Sequence, residues 1–529
     1  MRTVTAILLF CAAATPVAAQ PFANAKTSLS SYGVTDTSPS KSCESLSSFK
    51  TDEIVSITAR VVAATADTPQ HCRVVGTIRP EVAFEVDLPD RWNRRFYMTG
   101  NGGLAGDPVD TPMNPERGTA LTNGFVMART NTGHDARKEP SGSFILSNPQ
   151  KAIDYAYRAV HVTADTAKKI ATDYYAKPIA FSYWNSCSNG GRQGLLEAQR
   201  FPDDFDGIVA NAPWVDQTGF TLGAIWNQKA LTEAAVPLEK INLVAERVMA
   251  KCDEIDGLKD GLIDDPRKCS FDPARDVPAC SAGTDAANCL TPAQAATLKK
   301  IYGGPVSKGK PLFPGYMIGS EQPVPAPVPT PAGNTAMSSA WANTIIAAQP
   351  AMKPADFGLA EGVFNYLVLD PPQPMYDTLS MNFDRAPEMV TRWSKLADAK
   401  DADLSKFSKR GGRLIMTYGW ADQILQPLMG VRYYESILAK DKKAAEFARL
   451  FMVPGMTHCG GGVGPDRNDA VTAVIDWVEK SKAPDTLIAS KVTNGSVVRT
   501  RPLCAYPKVA RYSGQGSIDD AANFKCVAP

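Results

Sequence analysis

Short apolar runs alternate with amphipathic segments in the first part of the chain. Strand-like runs include VAFEVDLP, RRFYMTG, which leads into NGGLAGD, and GFVMARTNTGHD. A helix-like segment from about Lys151 to Tyr175 follows, then the strand-like PIAFSYWNS, the helix-like GGRQGLLEAQRF and the strand-like FDGIVANAPW. This alternation is typical of a parallel sheet covered by helices. It predicts an α/β fold.

The alternation stops near Val215. Longer amphipathic runs follow, with a cysteine loop rich in Asp and Gly, and a Pro-rich segment, QPVPAPVPTPAG, that predicts an extended loop. The alternation resumes at RLIMTYGWAD, with further helices predicted near 427–439 and 469–480. We therefore predict one α/β domain made of residues 20–215 and 395–529, with residues 216–394 inserted as a lid domain.

The N-terminal residues have the pattern of an export signal. A basic start, an apolar run too short to span a bilayer, and small residues before Gln20 predict a signal peptide over residues 1–19. Lipoprotein processing at Cys11 is the alternative, and the bulky Phe10 before it argues against that. The expected location is secreted or periplasmic.

Charge excludes some partners. Lys and Arg total 56 against 55 Asp and Glu, and no basic cluster stands out. A balanced surface gives no reason to expect nucleic acid or an anionic membrane as a partner. Small molecules or neutral polymers are expected instead.

Ten cysteines remain once the signal peptide is removed, and an even number in an exported chain indicates a disulfide framework. Structural zinc is not expected, because no CxxC pair occurs and the chain has 4 histidines. Short loops favour the local pairs Cys252/Cys269, Cys280/Cys289 and Cys504/Cys526. Cys43, Cys72, Cys187 and Cys459 are then left to pair over longer distances, in a connectivity that the sequence leaves open.

The stretch SYWNSCSNGGRQG contains two candidate nucleophiles, Cys187 and Ser188. It lies between a predicted strand and a predicted helix, where an α/β-hydrolase holds its nucleophilic serine on a tight turn flanked by small residues. Ser186 replaces the first glycine of the G-x-S-x-G pattern, and a plain Ser/Gly loop is the alternative. The context favours Ser188 as the nucleophile.

Chain order selects the partners of Ser188, because the acid and the histidine follow the serine in this fold. His458 is the one histidine after Ser188, and it follows the strand-like RLFMVP. Asp422 follows RLIMTYGW and is the candidate acid, with a helix N-cap as its alternative role. A structural histidine is the alternative for His458.

Cys187 precedes the proposed nucleophile and Cys459 follows the proposed base. A disulfide between them would join the two catalytic loops and leave no thiol at position 187 to act as a nucleophile. A buried free thiol at Cys187 is the alternative, which the even number of cysteines disfavours.

CSNGG, the downstream Asp and the late HC pair are similar to the tannase and feruloyl esterase family, from about residue 40 to the C-terminus. The resemblance implies an α/β-hydrolase fold with a large inserted lid domain. It implies a triad of Ser188, His458 and Asp422, and a bridge between Cys187 and Cys459. It also implies one oxyanion hole with two backbone N–H donors. One donor is the amide of Asn189, and the other lies in the NGG turn and is assigned to Gly103.

The run CDEIDGLKDGLIDDPRKC, here called the acidic loop (residues 252–269), is a candidate cation site. Its acidic residues and glycines suit a hard cation, although the EF-hand spacing is absent and a solvated Asp-rich turn is the alternative. The resemblance implies a structural calcium in the lid, held by Asp253, Asp256 and Asp260 with the carbonyls of Leu258 and Leu262. No organic cofactor is expected.

The insertion has an apolar, aromatic stretch with no Lys or Arg between Pro354 and Asp384. Such a wall suits an aromatic acyl group, whereas a free carboxylate on the substrate would call for an arginine. We therefore expect a feruloyl esterase-like hydrolase of phenolic acid esters, which are small aromatic esters, free or attached to plant polysaccharide or polyphenol. The alternatives are a tannase, a mono(2-hydroxyethyl) terephthalate hydrolase and a non-catalytic exported binding protein.

Overall fold

The computed structural model of the protein describes residues 20–33, 35–111, 116–325, 337–347 and 352–529. The predicted signal peptide, residues 1–19, lies outside the described residues, as does the Pro-rich loop from residue 326 onward. Within the described part of the chain, no helix is both long enough and apolar enough to cross a membrane.

The strands are short and are spread over the whole described chain. They are β1 (Ile54–Val62), β2 (His71–Ile78), β3 (Val82–Pro89), β4 (Arg95–Thr99), β5 (Val126–Thr130), β6 (Phe181–Cys187), β7 (Gly207–Asn211), β8 (Val306–Ser307), β9 (Lys310–Pro311), β10 (Pro323–Pro325), β11 (Met337–Ser339), β12 (Arg413–Gly419), β13 (Ala448–Val453), β14 (Thr486–Thr493), β15 (Ser496–Cys504), β16 (Val509–Tyr512) and β17 (Phe524–Val527).

The α-helices lie between and after these strands. They are α1 (Arg117–Thr122), α2 (Phe144–Ser147), α3 (Gln150–Ile153), α4 (Ala159–Tyr175), α5 (Asn189–Arg200), α6 (Gln217–Glu233), α7 (Leu238–Cys252), α8 (Pro273–Asp276), α9 (Pro292–Gly303), α10 (Ala355–Gly362), α11 (Ala386–Ala397), α12 (Ser405–Lys409), α13 (Pro427–Lys440) and α14 (Ala470–Lys480). A π-helical segment, Asp154–Arg158, joins α3 to α4, so the predicted helix over 151–175 is continuous.

Local sequence signals explain several helix ends. Thr291 and Gln294 form a capping box at the start of α9, with Pro292 in the first turn. The Asp469 side chain accepts a hydrogen bond from the Thr472 N–H and so caps α14. Helix α4 ends where Ala176 adopts a left-handed conformation.

Nine strands form the central sheet, in the order β1-β2-β3-β5-β4-β6-β7-β12-β13. The pairs from β1 to β5 are antiparallel, and the pairs from β5 through β4 to β13 are parallel. The carboxyl ends of parallel strands meet at one edge of a sheet, which is where open α/β sheets bind ligands. The predicted α/β fold is confirmed, and its parallel part positions the site.

Both faces of the sheet are covered. Consecutive residues of β6 point to opposite sides, so Trp184 belongs to one apolar core and Tyr183 to the other. Helices α4, α5 and α13 cover the first face, and α1 and α14 cover the second. The strands that carry the site are therefore held from both sides.

The inserted residues have two kinds of packing. In the described chain, no strand between β7 and β12 joins the central sheet. The part from Leu231 to Ile346 has an apolar core of its own, which includes Val244 and Trp341. Phe364 and Trp393, later in the insertion, join the core of the central sheet instead. That the insertion acts as a lid remains a prediction.

Candidate active site

Ser188 lies on the sharp turn between β6 and α5. Its backbone has φ 63° and ψ −125°, a conformation that costs a non-glycine residue free energy. Two hydrogen bonds fix the turn: the Ser188 N–H donates to the Asn211 carbonyl, and the Trp214 N–H donates to the Ser188 carbonyl, each at 3.0 Å. This geometry is that of a nucleophile turn at the carboxyl edge of the sheet.

Ser186 is accommodated because residue 190 is a glycine. A Cβ atom at Gly190 would lie 1.9 Å from the Ser186 Oγ, so the serine hydroxyl occupies the space that a side chain at 190 would need. At Gly191, a Cβ would lie 2.8 Å from the Asn211 carbonyl oxygen. The serine that departs from the G-x-S-x-G pattern therefore fits a turn of ordinary tightness.

Asp422 and His458 are brought together from the ends of β12 and β13. The His458 Nδ1 lies 2.9 Å from the Asp422 Oδ2, and the Asp422 side chain is fully buried. A carboxylate only accepts hydrogen bonds, so Nδ1 carries the proton and Nε2 is left with a lone pair. The His458 N–H also donates to the Gln423 Oε1 at 3.0 Å, which fixes the loop that carries the ring.

The second oxygen of Asp422 bears on its alternative role as a helix N-cap. Its Oδ1 accepts hydrogen bonds from the N–H groups of Ile424 and Leu425, at 2.9 and 2.8 Å. Helix α13 begins only at Pro427, with Gln426 at its N-cap. Asp422 therefore caps the short turn before the helix while its other oxygen faces the histidine.

A disulfide joins Cys187 to Cys459, with Cα atoms 5.9 Å apart across 272 residues of sequence. It places the loop of Ser188 beside the loop of His458, and a His458 ring nitrogen lies within 4.8 Å of both sulfur atoms. Cys187 therefore has no thiol with which to attack a substrate. Within the described residues, no hydrogen bond joins the Ser188 hydroxyl to His458.

Ser188, Asp422 and His458 are here called the strand-end junction.

The two proposed oxyanion donors lie against one tyrosine hydroxyl. The Tyr155 Oη lies 3.1 Å from the Gly103 carbonyl oxygen and 3.4 Å from the Asn189 Oδ1. Asn189 is the first residue of α5, so its N–H has no acceptor within the helix. Gly103 has φ 47°, and its N–H has no acceptor among the described residues. The structure thus brings Gly103 and Asn189 together.

Tyr155 was not identifiable from the sequence, because it lies in an ordinary amphipathic run. Its hydroxyl accepts a hydrogen bond from the Gln217 Nε2 at 2.8 Å, and the Trp393 Nε1 donates to the Gln217 Oε1 at 2.7 Å. Burial raises the pKa of Tyr155, so the group stays a neutral hydroxyl that can donate. A buried hydrogen-bond chain therefore runs from α11 and α6 to the turn that carries Gly103.

The acidic loop is closed by its own carboxylates. The Asp253 Oδ1 accepts from the N–H groups of Asp260 and Gly261, at 3.2 and 2.9 Å. Arg501 forms an ion pair with Asp260. The carbonyl oxygens of Leu258 and Leu262 accept no hydrogen bond from the described residues. Lys259 points outward, with 76% of its side chain exposed.

Asp264 is the residue of this loop that the sequence prediction missed. Burial, together with the nearby carboxylates of Asp256 and Asp260, raises the pKa of Asp264 to about 8. Burial is the larger cause of this shift, and the neighbouring carboxylates add to it. Its place in the same run, DGLIDDP, was the available signal. Oxygen donors of this type are those that calcium prefers, but within the described residues no three carboxylates of the acidic loop converge to metal-ligand spacing.

The remaining cysteines are also paired. The disulfides are Cys43–Cys72, Cys252–Cys269, Cys280–Cys289 and Cys504–Cys526. The local pairs that short loops favoured are thus present, and Cys43 joins Cys72 across 29 residues. The Cys252–Cys269 bridge encloses the acidic loop.

The apolar stretch of the insertion has two roles in the packing. Phe357, Phe364 and Leu367 are buried in the core of the central sheet, so they do not line an open pocket. At Gly362, a Cβ would lie 3.3 Å from the Leu104 Cδ1, next to the turn of Gly103. The backbone of the stretch therefore approaches Leu104, the residue that follows Gly103.

Comparison with known proteins gives consistent matches. The sequence profile described as tannase and feruloyl esterase matches residues 64–527. The chain is 31% identical to the mono(2-hydroxyethyl) terephthalate hydrolase of Piscinibacter sakaiensis, over 89% of this chain and 87% of that protein. It is also 31% identical to a probable feruloyl esterase of Arthroderma benhamiae, over 84% of this chain and 82% of that protein.

Solved structures give the same result. Feruloyl esterase B from Aspergillus oryzae superposes with a TM-score of 0.78 at 26% identity, covering 92% of this chain and 99% of that one. The tannin acyl hydrolase from Aspergillus niger superposes with a TM-score of 0.69 at 21% identity, covering 97% of each chain, and shares the fold. The expected α/β-hydrolase fold is confirmed.

Proposed function

Because this chain belongs to the tannase and feruloyl esterase family of carboxylic ester hydrolases, we propose that it cleaves esters of phenolic aromatic acids through an acyl-enzyme on Ser188. The observation that carries the proposal is the hydrogen bond between the His458 Nδ1 and the buried Asp422 carboxylate, in a loop that the Cys187–Cys459 disulfide ties to the loop of Ser188. Family membership also removes the non-catalytic binding protein as an alternative.

In this mechanism, the His458 Nε2 takes the Ser188 proton as Oγ attacks the ester carbonyl. The N–H groups of Asn189 and Gly103 stabilise the oxyanion, and Asp422 stabilises the imidazolium. The proton then moves from Nε2 to the leaving alcohol. Water attacks the acyl-enzyme by the same route, with His458 as base and then as acid, and the free acid leaves.

A phenolic acyl group is proposed because relatives are named as feruloyl esterases. The stretch between Pro354 and Asp384 also supplies no Lys or Arg that could pair with a substrate carboxylate. The substrate is a small aromatic ester, free or attached to a plant polysaccharide or polyphenol.

A second candidate is the hydrolysis of a terephthalate monoester, which the likeness to the Piscinibacter sakaiensis enzyme favours. The two candidates differ in the charge of the acyl group. A site built for the monoester would bind the free carboxylate, and its methyl ester would lose that interaction. Esters of gallic acid are the tannase alternative.

A matched set of substrates separates these candidates. The values of kcat/KM are measured for methyl ferulate, methyl gallate, mono(2-hydroxyethyl) terephthalate and the neutral methyl ester of that monoester. We expect methyl ferulate to give the highest value and the neutral ester to match or exceed the monoester. A monoester that exceeds both its neutral ester and methyl ferulate would contradict the proposed specificity.

A structural calcium in the acidic loop is part of the proposal. Asp253, Asp256 and Asp260 with the carbonyls of Leu258 and Leu262 would hold it, and Asp264 lies beside them. The ion would balance the excess negative charge there and takes no part in ester cleavage.

The remaining expectation concerns location: five disulfides are typical of an oxidising compartment, so the enzyme is proposed to be secreted or periplasmic.

A further inference from the structure

Three side chains converge at the end of α5 that is remote from Ser188. His161 comes from α4, Glu197 from α5, and Asp204 from the loop between α5 and β7. One potential ligand atom from each lies within 4.8 Å of the other two. The His161 Nδ1 lies 2.6 Å from the Asp204 Oδ2, so two of the groups already touch.

One oxygen of Glu197 lacks a hydrogen bond. Its side chain is buried, with 1% of the residue exposed, and its Oε2 has no hydrogen-bond partner among the described residues. A buried carboxylate oxygen without a hydrogen bond is strongly destabilising. Either a proton shared with Asp204 or a bound cation must therefore occupy this position.

The neighbouring ammonium group acts on Glu197 only at a distance. The Lys168 Nζ donates to the Asp204 backbone carbonyl and lies 5.7 and 5.3 Å from the ring centres of Phe96 and Phe205. Arg410, the next cation, pairs with Asp203 and Asp206. Within the described residues, neither Lys168 nor Arg410 forms an ion pair with Glu197.

We propose that His161, Glu197 and Asp204 form a binding site for a divalent transition metal of the Zn²⁺ type. One imidazole nitrogen and two carboxylates are a common donor set for zinc, with water completing the coordination. The His161 side chain is 36% exposed, so an ion can enter from solvent. The bound metal would join α4 to the C-terminal end of the helix that begins at the nucleophile turn.

The sequence did not predict structural zinc, because no CxxC pair occurs and the chain has 4 histidines. The proposed site uses one histidine, two carboxylates and no cysteine. It also lies apart from the acidic loop, whose oxygen donors suit calcium. Zinc binding here is therefore independent of the proposed ester chemistry.

Cobalt tests the site, because Co²⁺ replaces Zn²⁺ and absorbs visible light when it is bound by protein ligands. The full chain, saturated with calcium throughout, is titrated with Co²⁺ and then with Zn²⁺. We expect one Co²⁺ per chain, with a visible band that Zn²⁺ removes. Glu197→Gln and His161→Phe should each weaken binding by at least about tenfold, since each removes a ligand.

The variants are chosen to keep the fold. Phenylalanine at 161 retains the ring that stacks on Phe201 at 3.9 Å, and glutamine at 197 retains the shape of the side chain. Asp165→Asn, on the same helix, is the matched control and should bind Co²⁺ like the parent chain. Unchanged hydrolysis of p-nitrophenyl acetate reports that each variant is folded.

Two results would overturn the proposal. In the first, the calcium-loaded parent chain binds no Co²⁺ and Glu197→Gln is as stable to heat as the parent. This result would show that Glu197 shares a proton with Asp204 and holds no metal. The other is equal Co²⁺ binding by the parent chain and both ligand variants, which would place the ion elsewhere.

Discussion

The strand-end junction and the acidic loop both hold carboxylates with limited access to solvent, but they balance the charge differently. At the junction, Asp422 accepts three hydrogen bonds, two from backbone N–H groups and one from His458. In the acidic loop, burial and the nearby carboxylates raise the pKa of Asp264 to about 8. Asp422 thus has its hydrogen-bond partners within the protein, whereas the acidic loop is where we propose an added cation.

The difference follows from where the residues lie in the fold. Parallel strands bring their carboxyl ends to one edge, so side chains after β6, β12 and β13 meet without any added ion. The acidic loop belongs to an insertion outside the sheet, and Arg499 and Arg501 of β15 reach it from another part of the chain. Changes at the junction should therefore affect chemistry, and changes in the loop should affect stability.

The largest effect is expected at His458. Replacing it with alanine removes the proposed general base, and kcat for methyl ferulate should fall about 10⁴-fold while the melting temperature stays close to that of the parent. His161→Phe removes an imidazole that is remote from the junction and should keep full activity. Equal losses in both variants would contradict a specific role for His458.

The Cys187–Cys459 bridge should matter more than a bridge within the insertion. The double variant Cys187→Ala/Cys459→Ala should lose about 2–5 kcal/mol of unfolding free energy and a large part of kcat, since the bridge aligns the two loops. Cys280→Ala/Cys289→Ala, which opens a loop of 9 residues, should keep kcat. Denaturant unfolding and initial rates measure both quantities, and equal kcat in the two variants would refute the alignment role.

Removal of calcium should affect stability before chemistry. In excess chelator, the melting temperature should fall, since a ligand at 100 times its Kd contributes about 2.7 kcal/mol. Asp256→Asn should melt at the chelated temperature with or without calcium. Lys259→Ala changes an exposed residue of the same loop and should retain the calcium response. A parent chain that melts at one temperature in both buffers would rule out the ion.

The smallest effect is expected at Tyr155, a positioning residue. Phenylalanine there removes the hydroxyl that lies between Gly103 and Asn189, and kcat should fall about tenfold with little change in KM, because one hydrogen bond is lost. Tyr157→Phe, in the same π-helical segment, should leave kcat unchanged. A rise in KM alone would indicate a role in substrate binding instead.

The sequence predicted the parts of the site that follow from chain order. Ser188, Asp422 and His458 each follow a strand-like run, and the scarcity of histidine left one candidate base. Tyr155 and Gln217 gave no such signal, because their roles depend on long-range contacts between α6 and the π-helical segment before α4. Asp264 was missed because its burial comes from tertiary packing, which composition does not show.

The sequence also did not predict that the insertion packs partly on a core of its own and partly on the core of the central sheet. Its apolar residues from 354 to 384 suggested a pocket wall, yet Phe364 and Leu367 lie in the core of the central sheet. An apolar stretch looks the same in sequence whether it faces a substrate or a core. Only its contacts separate the two, and these depend on residues far away in the chain.

The most direct test of the central claim is covalent labelling by a fluorophosphonate, which reacts with the activated serine of an esterase. Peptide mapping of the labelled protein should place one phosphonyl group on Ser188, and Ser188→Ala should take up none while it melts like the parent chain. Labelling at another residue, or equal labelling of Ser188→Ala, would contradict the account.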